Sequence, residues 1–165
     1  MMNHTSTRRL VAVDLENLAA TGLVDVDWAI DAAYLLSTTL DLKEYDLVYV
    51  AGGSQNLEAV ARVAKIMHGQ PRIRKGADGA DLALLDALEQ MPVTAIESER
   101  TPITEVVVMS GDGIFSQVVR EYVTRGLDVV VVSRKGQLSR DLESAASRVF
   151  LIDGLVRADE YALTA

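Results

Sequence analysis

The sequence predicts an α/β fold in which a mainly parallel sheet is covered by helices on both faces. Three observations carry that expectation. Short β-branched runs alternate with helix-length amphipathic stretches along the 165 residues. The runs Val106–Met109 and Val129–Val132 are apolar at every position, as strands buried on both faces of a parallel sheet require. No internal repeat, low-complexity tract or Pro/Gly/Ser-rich linker interrupts the alternation, and the prolines at 71, 92 and 102 are scattered. A single domain spanning residues 1–165 follows, long enough to bury a full core.

The elements are expected in this order. Arg9–Asp14 reads as the first strand, and Asp27–Leu40 has apolar residues three and four apart and reads as a helix. Leu47–Ala51 is the second strand, followed by a helix over Asn56–Met67 and a weak third strand at Arg72–Arg74. Asp81–Met91 is helical, Glu105–Ser110 is the fourth strand, and Phe115–Arg125 is the next helix. Asp128–Ser133, a helix over Leu138–Ala146 and a last strand at Val149–Ile152 complete the chain.

Composition excludes several function classes. Sixteen basic against 24 acidic residues give a formal charge of −8, so no global field attracts nucleic acid or anionic lipid, and any phosphate binding must be local. The absence of cysteine removes disulfides, thiolate catalysis and Cys-based zinc sites, and two histidines leave little for a His-rich metal centre. No apolar run is long enough to span a bilayer, and the N-terminal MMNHTSTRR lacks the apolar stretch of a signal peptide. The expected location is cytoplasmic, with no membrane partner.

Open parallel sheets bind ligands beyond the carboxyl ends of their strands, where the strand order reverses. The residues expected there are mostly acids. Asp14 closes the first strand within Asp14-Leu15-Glu16-Asn17, where a carboxylate directly after a buried strand is costly unless solvent, a partner or a metal meets it. Asp14 and Asn17 also suit a cap or turn, and Glu16 is expected to face solvent. In Lys75-Gly76-Ala77-Asp78-Gly79-Ala80-Asp81, two glycines permit a sharp turn and two acids stand three residues apart at a helix start. Either acid could cap that helix. Asp81 leads the stripe Leu82, Leu85 and Leu88 and is the better functional candidate, Asp78 the better cap, and Asp86 a solvated helix residue. Ser110-Gly111-Asp112-Gly113 carries a third acid between two glycines after a buried strand. A phosphate-binding turn is the rival reading there, but a carboxylate at its centre repels phosphate unless a cation intervenes.

Three carboxylates from the ends of three elements would converge on one point. Oxygen ligands without His or Cys suit a hard cation, Mg²⁺ or Mn²⁺, and such a site favours phosphodiester hydrolysis by metal-activated water. Arg72, Arg74 and Lys75 before the glycine loop, with Arg134 and Lys135 after the fifth strand, could supply a phosphate track or be ordinary surface charge. The scattered aromatic residues outline no stacking platform.

These motifs, with Gly126–Ser133 and the closing Leu138–Ile152 segment, resemble the NYN domain family of the PIN-like nuclease group over roughly residues 8–153. The resemblance implies a three-layer α/β/α, PIN-like or Rossmann-like fold with a short C-terminal tail beyond the core, and an acidic Mg²⁺ or Mn²⁺ site that hydrolyses RNA. Carried across by position, Asp14, Asp81 and Asp112 would bind metal, Asn17 would orient the site, and Ser110 would support Asp112. The sequence departs from the family at Ile114, where many members carry a further acid in a Ser-Gly-Asp-x-Asp-Phe pattern; Asp78 or Glu16 would have to compensate.

The expected function is therefore a metal-dependent ribonuclease acting on RNA. The alternative motivated by Ile114 is a catalytically weakened RNA- or protein-binding module. A nucleotide-binding Rossmann domain ranks third because the glycine fingerprint is missing. Strand edges or helix faces could pair two copies into a homodimer, although no sequence feature fixes the oligomeric state.

Overall fold

A computed structural model describes residues 8–91 and 101–153; the C-terminal tail that the sequence sets apart lies outside the described residues. The elements are β1 (Arg8–Asp14), α1 (Leu15–Ala19), α2 (Val26–Thr39), β2 (Leu47–Gly53), α3 (Leu57–Ile66) and β3 (Gln70–Arg74) in the first half. The second half contains α4 (Gly79–Glu89), β4 (Ile103–Met109), α5 (Ser116–Thr124), β5 (Asp128–Arg134), α6 (Arg140–Ala145) and β6 (Arg148–Ile152).

All six strands run parallel, in the order β3-β2-β1-β4-β5-β6. The chain winds outward from β1 to β3, then crosses to β4 on the other side of β1. The reversal therefore lies between β1 and β4, and the crevice beyond their carboxyl ends is where such a sheet holds its ligand.

Alternate residues of each strand enter opposite halves of the core. Val11 and Val13 of β1 and Val107 and Met109 of β4 pack under α1, α2 and α3 with Leu18, Ala33, Val60 and Val63. Leu10, Ala12, Val106 and Val108 pack on the other face against Leu84 and Leu88 of α4, Val119 and Tyr122 of α5, and Leu142 of α6. This is a three-layer α/β/α arrangement, and the burial of Val106–Met109 and Val129–Val132 on both faces explains their unbroken apolarity.

The expected elements are all present with shifted ends. Each expected strand is longer by one or two residues at one end, because flanking positions still pair in the ladder, and β4 stops at Met109, one residue short of the expected Ser110. The stripe that packs α4 is Ala80, Leu84, Ala87 and Leu88; of the expected positions Leu88 is buried, Leu85 packs half-buried against the same core, and Leu82 is half-buried. Helix α1 is an addition. At five residues it spans too little sequence to show a period. β3 is an edge strand, which accounts for its weak signal and accommodates Pro71. Among the described residues no helix is long and apolar enough to cross a membrane.

Candidate active site

Strand parity brings the first two site residues together. Leu10 and Ala12 face α4, so Asp14 continues onto that side as β1 ends; Val106 and Val108 face the same way, so Ser110 does likewise after β4. β1 and β4 are neighbours with Val13 opposite Met109, which sets the next residues side by side. The Ser110 Oγ donates to Asp14 Oδ2 at 2.9 Å, with both residues buried. The same Oγ accepts from the Asp112 N–H at 3.2 Å, so one hydroxyl ties the Asp14 carboxyl to the turn that carries Asp112.

Asp14 is also the N-cap of α1, its Oδ1 accepting from the Asn17 N–H at 3.2 Å. Asn17 does not itself cap. Its Oδ1 accepts from the Gly111 N–H at 3.0 Å, bonding α1 to the exit of β4. Gly111 passes so close beneath the loop after β5 that a Cβ would collide with the Gln137 carbonyl oxygen and lie 2.5 Å from Ser133 Oγ. Asp112 is half-buried, and its Oδ1 accepts from the Ile114 N–H at 3.0 Å, capping the 3₁₀ turn Gly113–Phe115.

Asp81 enters from α4. Gly76, with φ at +108°, reverses the chain after β3 in a conformation that side-chain-bearing residues rarely adopt, and the helix then starts beneath the Asp14 side of the sheet. Half-buried Asp81 shares a hydrogen bond with the Asp14 carboxyl. Burial pushes Asp14 up to about 8, reinforced by the hydrogen bond and negative charge of Asp81 and opposed by the bonds from Asn17 and Ser110. Asp81 is raised too, first by burial and then by the charges of Asp112, Asp78 and Glu16, while its bond with Asp14 acts the other way. Both carboxyls are thus harder to ionise than an ordinary aspartate, because each is buried beside other negative charge.

This electrostatic strain fits a hard divalent cation. The donors are carboxylate and amide oxygens, and a positive charge would offset the cost of ionising Asp14 and Asp81 side by side. Among the described residues, however, no three His, Asp or Glu side chains close around one point. Asp14 spends its oxygens on Asn17 and Ser110, and Asp112 turns one of its own toward Ile114.

Several expectations are corrected. Glu16 does not face solvent: its Oε1 accepts from the Gly53 N–H at 2.7 Å, Asn56 Nδ2 at 2.6 Å and Gln55 Nε2 at 3.2 Å. Asp78 occupies the cap position of α4 but makes no side-chain cap bond, because its backbone turns in a conformation (φ −106°, ψ 29°) outside the extended region that N-caps normally use. Asp86 is exposed on α4, as expected, and there pairs with Arg74 at 2.9 Å. Among the basic residues, Arg134 Nη1 donates to the Leu18 carbonyl at 3.3 Å, Lys135 pairs with Asp153 at 3.0 Å, and Arg72 lies over the Tyr49 ring at 4.8 Å. Lys75 is exposed.

Sequence reasoning passed over Asn56 and Gln55. Their signal is the polar run Ser54-Gln55-Asn56, which leaves the carboxyl end of β2, the buried strand next to β1.

The family model described as the NYN domain matches residues 8–153. No curated protein matches the chain significantly. Among solved structures, a protein of unknown function from Vibrio parahaemolyticus is similar, with 19% identity, a TM-score of 0.61, and coverage of 93% of this chain and 97% of that one. At that identity the likeness concerns the fold.

Proposed function

This chain belongs to the NYN domain family, a PIN-like nuclease family, and from that premise we propose that it is a ribonuclease that hydrolyses RNA phosphodiester bonds with Mg²⁺ or Mn²⁺ at Asp14, Asp81 and Asp112. The observation that carries the reading is the buried Asp14, bonded by Ser110 and Asn17 at the reversal point of the sheet, where burial and Asp81 push its carboxyl up. Perturbed carboxylates in such a crevice mark a functional site.

Asp14, Asp81 and Asp112 would hold the cation, a role that suits their oxygen donors and shared negative field although the three do not close around one point without it. When bound, the cation supplies Lewis acidity for the attacking water and stabilises charge on the attacking and leaving oxygens. The chain's own contribution is placement. Ser110 fixes the Asp14 carboxyl, Asn17 fixes the turn at Gly111, and Asp78, whose side chain makes no cap bond, adds negative charge at the mouth.

The RNA backbone would lie along the carboxyl edge of the sheet. Arg72 and Arg74 lie in β3 and Lys75 follows it, two strand spacings or roughly 10 Å from β1, while Arg134 ends β5 and Lys135 follows it, one spacing from β4. Exposed pairs such as Arg74–Asp86 contribute little and can be exchanged for phosphate. Arg134, committed to α1, is the weakest of these contacts.

A second reading rests on Ile114. It is 37% exposed beside Asp112 and places a sec-butyl group where a further carboxylate would complete the site, which favours a binding module that retains RNA without cutting it.

The test is cleavage of a labelled mixed-sequence RNA with Mn²⁺, with Mg²⁺ and with EDTA. The ribonuclease reading expects product in the metal lanes of the wild type and none with EDTA or in Asp112→Asn, whose circular dichroism should match the wild type. Cleavage by folded Asp112→Asn removes that residue from the mechanism. Binding without cleavage in every lane moves the module reading ahead.

A further inference from the structure

Asn56 is buried at the end of the turn after β2, 3% exposed, and its side chain is bonded on every side. Its Oδ1 accepts from the Val24 N–H at 2.8 Å, while Nδ2 donates to the Gly22 carbonyl at 3.0 Å and to Glu16 Oε1 at 2.6 Å. Gly53 and Gln55 of the same turn donate to that Glu16 oxygen as well. The exit of β2 thus grips one carboxylate of α1 with three N–H donors.

The next residue of α1 grips the other side. Successive helical residues point about 100° apart. β1 lies between β2 and β4, so at its end Glu16 reaches the exit of β2 while Asn17 reaches Gly111 at the exit of β4. A five-residue helix has too few internal bonds to fix its own orientation, so these side-chain contacts set it. The bonds run without a gap from Asn56 to Glu16, across one peptide to Asn17, and on to Gly111, which precedes Asp112.

We infer that Asn56, acting through Glu16, is a positioning residue that holds the Gly111-Asp112 turn against Asp14. The inference rests on the reading of Asp14, Asp81 and Asp112 as the functional site. Neither Asn56 nor Glu16 is a metal ligand in it; outer groups of this kind set the geometry of the residues that are.

The test compares wild type, Asn56→Ala, Glu16→Ala and Glu16→Gln by residue-resolved hydrogen exchange in chelator, and by calorimetric titration with Mn²⁺ alone. Both alanine variants should speed exchange at the Gly111 N–H by about tenfold or more while the β5 amides keep their protection. Glu16→Gln keeps an acceptor at Oε1 and should recover most of that protection. Mn²⁺ affinity should fall about tenfold in the alanine variants and recover in Glu16→Gln.

Half-buried Glu16 carries the test even where Asn56→Ala does not fold. Unchanged Gly111 exchange in Glu16→Ala overturns the inference, as does faster exchange with undiminished Mn²⁺ affinity. A wild type that binds no Mn²⁺ but whose Gly111 amide responds to Glu16 leaves the positioning role standing and removes the metallonuclease reading instead.

Discussion

The hydroxyl of Ser110 stands between Asp14 and the backbone of Asp112, donating to the first at 2.9 Å and accepting from the second at 3.2 Å. It is 0% exposed, so no water replaces either bond when it is lost. Two acids that reach the crevice from different strands are thereby held by one oxygen.

Ser110→Ala removes both bonds and leaves a buried carboxyl and a backbone N–H without this partner. Such vacancies cost about 1–3 kcal/mol. The expected result is a loss of that size in urea unfolding with an unchanged m-value, together with weakened Mn²⁺ binding. Full stability would mean that the turn re-pairs elsewhere.

Asp14 makes the stability of the metal-free protein depend on pH with a defined sign. Its carboxyl is raised from 3.8 in the unfolded chain to about 8, so between those values the native state binds more protons than the unfolded one. The stabilisation is complete below the lower value and is lost as pH rises through the upper. Asp81, also raised, adds to the same trend. Asp46 is lowered: burial acts against this, but the Arg9 side chain and the Lys43 and Arg9 amides prevail, so its contribution is lost only as pH falls below the ordinary carboxylate range. Thermal unfolding in EDTA should therefore show a decline from pH 5 to pH 8 that is absent in Asp14→Asn, and added Mn²⁺ should offset it. A flat wild-type profile would show that Asp14 is ionised throughout.

The strands and their parallel order were legible because Val106–Met109 and Val129–Val132 are apolar on both faces, a pattern with one common structural cause. Asp14, Asp81 and Asp112 were legible as strand-end and helix-start acids. Glu16 was not, because an acid in a turn is ordinarily solvated, and only the strand order reveals that Gly53 and Asn56 stand within its reach. The role of Arg134 was hidden in the same way: its partner is a backbone carbonyl 116 residues away, on a helix too short to show a period.

Gly111 tests how rigid the turn must be. A methyl group there meets the Gln137 carbonyl and the Ser133 hydroxyl, which belong to backbone and to a fully buried side chain and have little room to give. Gly111→Ala should cost about 1–3 kcal/mol by overpacking. It should also separate Asp112 from Asp14, seen as weaker Mn²⁺ binding. Gly126→Ala, at φ +87° with open space around it, is the control: it carries backbone strain far from the acids and should leave Mn²⁺ binding alone.

Lys75 and Arg134 should respond differently to removal although both stand at the carboxyl end of a strand on the same edge of the sheet. Lys75 is exposed, so Lys75→Ala should leave unfolding unchanged, weaken RNA binding at low salt, and reduce the slope of log K against log salt by about 0.7 for a single strand. Arg134 is half-buried and donates to the Leu18 carbonyl at the end of α1. Arg134→Ala should therefore lower stability by about 0.5–1.5 kcal/mol, the usual net worth of such a bond, and leave the salt slope nearly intact. Filter binding across a salt series, paired with urea unfolding of each variant, separates the two roles. A reduced salt slope in Arg134→Ala at unchanged stability would return that guanidinium to the RNA track.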